Sequence, residues 1–152
     1  MNNRSALTIR PLQSTDHTEW LRLRQALWPD QSDAQNAQEM TEILTYFDRM
    51  PAFVAERPDG GLCGFVEVTI HDNAPGCVTD RIGYLEAWYV DPDWRQQGVG
   101  RLLVEAAEAW ARANGCIEMA SDTDQGYPDS PAVHGQLGYR EVARDIYFRK
   151  DI

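Results

Sequence analysis

A chain of 152 residues, 43% hydrophobic and 25% charged, is sized for one domain that buries roughly two-thirds of its unfolded surface and is too rich in apolar and aromatic residues for a disordered segment. Its net charge of −10 weighs against nucleic acid or an anionic membrane as a partner and favours a small cationic one. Cys63, Cys77 and Cys116 lack the short spacing of a zinc knuckle or redox dithiol and suit free thiols in a reducing cytoplasm; no apolar run reaches the ~20 residues of a membrane span, and Met1 to Leu12 lacks the core of a signal peptide.

In chain order, Thr8 to Leu12 alternates as a short strand that Pro11 confines to an edge, because Pro cannot donate to a ladder. Asp16 and Glu19 have the spacing of a capping box, and Trp20, Leu23 and Leu27 then recur at helical spacing up to Trp28. Ser32 and Gln35 open a second helix, whose apolar face is Met40, Ile43, Leu44 and Phe47. Ala52 to Glu56 and Leu62 to Ile70 read as a β-hairpin around Pro58-Asp59-Gly60-Gly61.

After a polar loop at His71 to Arg81, Ile82 to Val90 is rich in aromatic and β-branched residues, as a strand requires. Val99, Leu102, Leu103, Ala106, Trp110 and Ala113 mark a long amphipathic helix closed by Asn114-Gly115. A short strand at Ile117 to Ser121, a helix near Pro131 to Leu137 and a terminal strand at Tyr139 to Phe148 complete the chain. The order β-α-α-β-β-β-α-β-α-β describes an α/β domain of the α+β type, a mixed sheet flanked by helices over residues 1–152.

The segment Val90-Asp91-Pro92-Asp93-Trp94-Arg95-Gln96-Gln97-Gly98-Val99-Gly100 is a strand end, a sharp loop and a glycine-rich helix start. Unpaired amides and the helix dipole make such a start a phosphate site. It lacks the Gly-Lys-Ser/Thr of a Walker loop and the third glycine of a dinucleotide fingerprint, since Arg101-Leu102-Leu103 follows.

Arg95-x-x-Gly98-x-Gly100 in this context resembles the acetyl-CoA pyrophosphate motif of the Gcn5-related N-acetyltransferase superfamily, whose element order the chain also follows. The resemblance implies a fold with splayed central strands. It also implies acetyl-CoA as cosubstrate with no metal: its pantetheine along Trp88, Tyr89 and Val90, its pyrophosphate held by Arg95 and by amides of Gln96, Gln97, Gly98, Val99, Gly100 and Arg101.

Leu27-Trp28-Pro29, Gly76-Cys77, Leu85-Glu86, Gly115-Cys116, Glu118 to Thr123, His134 with Leu137-Gly138-Tyr139, and Tyr147 to Lys150 are together most similar to bacterial aminoglycoside 6′-N-acetyltransferases. That similarity implies Trp28, Glu86 and Asp122 as substrate-binding residues, resistance to those antibiotics as the outcome, and a homodimer. Acyl transfer to an amine needs a carboxylate to hold the ammonium and accept its proton. Glu86 and Asp122 are accordingly the candidate catalytic carboxylates. His134, where many superfamily members carry a tyrosine, is the candidate acid for the departing sulfur. A polyamine, peptide or small-metabolite amine is the alternative acceptor, and a non-catalytic acyl-CoA sensor the alternative role.

Overall fold

The computed structural model describes residues 7–152; Met1 to Ala6, half of the segment read for a signal peptide, lie outside the described residues. Five strands form one sheet in the order β1-β2-β3-β4-β5. β1 (Thr8–Pro11), β2 (Ala52–Glu56), β3 (Leu62–His71) and β4 (Ile82–Val90) are successive antiparallel neighbours, whereas β5 (Glu118–Ser121) runs parallel to β4. A parallel neighbour needs a crossover, and α3 (Val99–Ala113) supplies it.

Two apolar layers sandwich the sheet. On one face α1 (His17–Leu27) and α2 (Asp33–Thr45) bury Trp20, Leu23, Met40 and Ile43 against Val54, Phe65 and Ala87. On the other, α3 buries Val99, Leu103, Val104 and Ala107 against Ala55, Val66, Val68 and Leu85. The hairpin turn between β2 and β3 places Gly60 and Gly61 at positive φ, where a side chain would strain the backbone.

Local chemistry differs from the sequence expectation at three places. Ser32 does cap α2, accepting from the Gln35 amide at 3.1 Å. Asp16 instead takes the Gln13 amide at 2.8 Å and the Arg10 guanidinium; Glu19 turns away to Arg22 and to the Leu62 amide. The inward face of α3 runs through Val99, Leu103, Val104, Ala107 and Ala111, and Leu102, expected on that face, is exposed on the helix flank, as is Leu44 of α2. Both are leucines next to the true stripe, a position that periodicity alone resolves only to within one residue.

The third difference is larger. After α4 (Ser130–Gln136), residues 139–152 form no strand, and every side chain from Arg140 onward is exposed. Alternation marked Tyr139 to Phe148 as strand-forming, yet a strand exists only when a neighbour pairs with it, and none among the described residues does.

One irregularity in β4 positions everything that follows. Glu67 pairs with Ala87 but Val68 pairs with Leu85, so Glu86 is an extra residue with no partner on β3. Such a bulge reverses the alternation locally: Leu85 and Trp88 pack toward α3, while Glu86 and Ala87 both face the α1–α2 side. β5 pairs with β4 only from Ile82 to Leu85. Beyond the bulge, Glu86 to Val90 has β3 on one side and no strand on the other, which is the splay that the resemblance implied.

Leu103 is fully buried between α3 and the sheet. Leu103→Ala is expected to lower the unfolding free energy by about 2–5 kcal/mol, measured by urea denaturation with an unchanged m-value.

Candidate active site

An open cleft of about 320 Å³ lies between the α1–α2 layer and the exposed ends of β3 and β4, lined among others by Trp28, Glu39, Glu42, Glu67, Thr69 and Glu86. Its floor is a buried ion cluster. The Arg24 guanidinium donates to both oxygens of Glu67, to Glu39 and to Asn36, and it lies 4.9 Å from the Trp28 ring centroid and 5.8 Å from that of Trp20. Arg24 and Glu67 are buried, so each needs the other: either charge left unpaired in a low-dielectric interior is strongly unfavourable. Burial pushes the Glu67 carboxyl up to about 7, against the opposing pull of Arg24.

Above this floor runs a line of polar side chains that spans two strands and the end of a third. Glu86 accepts from Thr69 Oγ1 at 2.5 Å, and His71 Nε2 lies 2.6 Å from the same carboxylate oxygen. The His71 ring stacks on Tyr84 with centroids 4.1 Å apart and planes 8° from parallel. Tyr84 in turn donates its hydroxyl to Asp122 Oδ1 at 2.7 Å. Burial first, and Asp122 second, raise the Tyr84 pKa, so the phenol stays a donor. Trp28 and Glu86 thus share one cleft, and Asp122 joins it through Tyr84 and His71. The Glu86 side chain remains 39% exposed, within reach of a solute.

Sequence reasoning missed Thr69, His71 and Tyr84. Their signal was a period of two, since Thr69 and His71 alternate on β3 as Tyr84 and Glu86 do on β4. Only the register Thr69↔Tyr84 brings the two pairs together.

At the far end of β4, Asp91 is buried between two cations, accepting from Arg22 at 3.0 and 3.1 Å and from Arg57 at 2.8 Å, and this clamp fixes the loop that leads to α3. Gly98 caps α3 at φ 84°, and no side chain caps the helix or places an acid in its first turn. The first helical hydrogen bond at this end runs from Leu102 N to Gly98 O. The amides of Val99, Gly100 and Arg101 therefore point out of the helix end without an intrahelical acceptor.

Gln96 also has positive φ, at 60°, and Gln97 Nε2 donates to Asp93 O at 3.1 Å. A Cβ on Gly100 would lie 3.1 Å from the Trp88 ring, whose Nε1 donates to Gly100 O. The glycine thus keeps the helix start pressed against β4. Arg95 donates to Val90 O at 2.8 Å, and its guanidinium lies 5.4 Å from the Tyr89 ring centroid. Arg101 is turned to Gln136 O, so its side chain ties α4 to α3 while its amide belongs to the helix end.

His134 stands beside the splay. Its Nδ1 is 2.8 Å from Ser130 O, which can only accept, so Nδ1 carries the proton and Nε2 accepts from Ser121 Oγ at 2.9 Å. Its ring meets Trp88 edge-on at 5.3 Å. Ser121, the last residue of β5, is a second group that sequence reasoning missed. In the loop between β5 and α4, Tyr127 donates its hydroxyl to Leu27 O at 2.6 Å. No group of His, Cys, Asp and Glu able to hold a metal ion is present among the described residues.

A bulged strand that parts from its parallel neighbour and runs into a glycine-capped helix with free amides offers an anion site beside an acidic cleft, where the resemblance to acyl-CoA-using transferases places the cofactor. Residues 20–139 match the model of the acetyltransferase (GNAT) family, and the chain belongs to that family. It is 41% identical over 150 residues to an aminoglycoside N(6')-acetyltransferase type 1 of Klebsiella aerogenes, covering 97% of this chain and 99% of that protein. It is 40% identical to one of Stenotrophomonas maltophilia, covering 95% and 94%. Among solved structures, it superposes with a TM-score of 0.86 and 37% identity on AAC(6')-Iy in complex with the bisubstrate analog CoA-S-monomethyl-acetylneamine, covering 96% of this chain and 99% of that one.

Glu67 is held above its ordinary value of 4.5 in the folded state, so folding binds its proton more tightly and its contribution to stability falls as pH rises from about 4.5 to about 7. The stability of Glu67→Gln relative to the wild type should therefore increase between pH 5 and pH 8, read from parallel urea melts. Curves that keep a constant separation would contradict the assignment.

Proposed function

We propose that this protein transfers the acetyl group of acetyl-CoA to the 6′-amino group of aminoglycosides and so confers resistance to them. The observation that carries this reading is the continuity of Glu86, His71, Tyr84 and Asp122 with the point where β4 leaves β5. Anionic groups for a polycation and open strand backbone for a thioester there lie side by side.

The acetyl donor supplies the activated acyl group. Its pyrophosphate rests on the amides from Gln96 to Arg101 with Arg95 beside it, and its pantetheine lies along Trp88, Tyr89 and Val90. Trp28 offers the sugar an apolar face, while Glu86 and Asp122 bind ammonium groups. Glu86, backed by His71, takes the proton that the 6′-ammonium must lose before its nitrogen can attack. The nitrogen forms the amide bond as the carbon–sulfur bond breaks; the second proton it then sheds is taken up through Ser121 by the unprotonated His134 Nε2, and the same pair, at the seam of β4 and β5, returns it to the departing sulfur.

Acetyl-CoA and three free cysteines suit a cytoplasmic protein, in keeping with the lack of any helix long and apolar enough to cross a membrane among the described residues. We further propose one catalytic domain over residues 1–152 and assembly as a homodimer.

Thiol release from acetyl-CoA is expected with kanamycin and tobramycin and not with a 6′-hydroxyl analogue. Release with spermidine alone would move the function to a polyamine, and acetyl-CoA binding without turnover on any amine would make the protein a sensor. Glu86→Gln should lower kcat/KM by about 10²–10⁴-fold at unchanged acetyl-CoA affinity. Gly98→Trp should do the reverse, abolishing acetyl-CoA binding measured by calorimetry, because the indole occupies the space over the α3 amides. Asp122→Asn is expected to raise KM for the aminoglycoside, and an unchanged KM would remove Asp122 from the site.

A further inference from the structure

Two carboxylates serve the acceptor site, Glu86 on β4 and Asp122 in the loop after β5, and Tyr84 stands between them. In the sheet Tyr84 lies opposite Thr69 on β3 and opposite Ala120 on β5. His71 and Asp122 each follow those residues by two positions, so both are diagonal neighbours of Tyr84, within reach of a long aromatic side chain. Ring and hydroxyl serve different neighbours. The ring stacks on His71 with centroids 4.1 Å apart, and the hydroxyl donates to Asp122 Oδ1 at 2.7 Å.

Each neighbour depends on that contact. Asp122 is exposed and lies just past the last residue of β5, and among the described residues Tyr84 is the only donor to its carboxylate. Without this bond several rotamers are open to the side chain, and fixing one of them costs entropy. With it, Oδ1 is engaged and Oδ2 is left for an ammonium group. The phenol remains a donor through the neutral range, because burial first and the Asp122 charge second raise its pKa. His71 in turn holds Glu86 Oε1 together with Thr69. Its side chain is 37% exposed, so the face of Tyr84 is what sets the plane of the imidazole.

We propose that Tyr84 is a positioning residue of the acceptor site: its hydroxyl aims Asp122 at one ammonium group of the acceptor, and its ring, through His71, aims Glu86 at the amine that is acetylated. The proposal rests on the aminoglycoside reading above and adds to it a residue that touches neither the acyl group nor the attacking nitrogen. Its two effects are separable. Loss of the hydroxyl weakens binding of the acceptor in ground state and transition state alike, which raises KM. Loss of the ring disturbs proton removal, which lowers kcat.

Steady-state thiol release with kanamycin at saturating acetyl-CoA tests this on Tyr84→Phe, Tyr84→Leu, Asp122→Ala and the double variant Tyr84→Phe/Asp122→Ala. Tyr84→Phe is expected to raise KM for kanamycin about 10-fold and to leave kcat within about twofold. Tyr84→Leu should raise KM by the same factor and also lower kcat about 10–10²-fold. In the Asp122→Ala background, Tyr84→Phe should add less than about twofold to KM, because the hydroxyl has no carboxylate left to aim. If far-UV circular dichroism shows that Tyr84→Leu does not fold, His71→Leu replaces it, with the same loss of kcat expected. An unchanged KM in Tyr84→Phe, additive effects of Tyr84→Phe and Asp122→Ala, or a kcat that survives loss of the stack would overturn the assignment. So would a parallel rise in the KM for acetyl-CoA, the mark of a residue that only fills space. A wild-type protein that releases no thiol with any aminoglycoside would overturn the function and the role of Tyr84 together, whereas an active wild type with unaltered variants would overturn the role of Tyr84 alone.

Discussion

In β4 two successive side chains, Glu86 and Ala87, face the same side of the sheet because Glu86 has no opposite number on β3. A strand with one extra residue bends and twists more strongly, and here the bend coincides with the end of the parallel pairing to β5. The consequences extend in both directions. Toward the α1–α2 face the bulge aims a carboxylate into the cleft at a position that strict alternation from Ala87 would have turned into the α3 core. Along the strand it frees one edge of Glu86 to Val90 at the place where the Gly98-capped helix presents its amides. Acceptor and donor sites therefore meet at one irregularity.

The acidic cleft raises a stability problem that Arg24 resolves. Four carboxylates, Glu39, Glu42, Glu67 and Glu86, line one small cavity, and like charges at such range repel. Arg24 is buried beneath them, bound to two of the four and sandwiched by Trp20 and Trp28. A buried ion pair of this kind adds little net stability over an apolar packing, so its value lies in the cleft: it neutralises the floor and leaves the rim anionic. The rim carboxylate Glu86 is held instead by Thr69 and His71, which orient it toward the cleft. An acidic rim over a neutral floor attracts a multiply charged cation and lets it be released.

At the opposite edge the sheet ends abruptly. β1 is short and carries Pro11, which blunts its outer edge. β5, at the other end of the sheet, pairs with β4 alone.

Sequence alone determined the element order through β5, the bounds of β2, β4 and α3, the Ser32 cap and the glycine-rich helix start, because each follows from local periodicity, turn chemistry or a motif read within a dozen residues. It also singled out Trp28, Glu86, Asp122 and His134, on the strength of a resemblance spread along the chain. Tertiary structure decided the rest. The bulge at Glu86 exists only as a mismatch of two registers, and Thr69, His71 and Tyr84 become neighbours of the carboxylates only through that pairing. The Ser121–His134 contact joins residues that are thirteen apart across a loop, and Arg24 reads as an ordinary helical arginine until Glu67, forty-three residues on, is folded against it. The terminal strand shows the limit most clearly: alternation in Tyr139 to Phe148 specifies what the segment can become, but hydrogen bonds to a neighbour make a strand, and no periodicity within the segment names that neighbour.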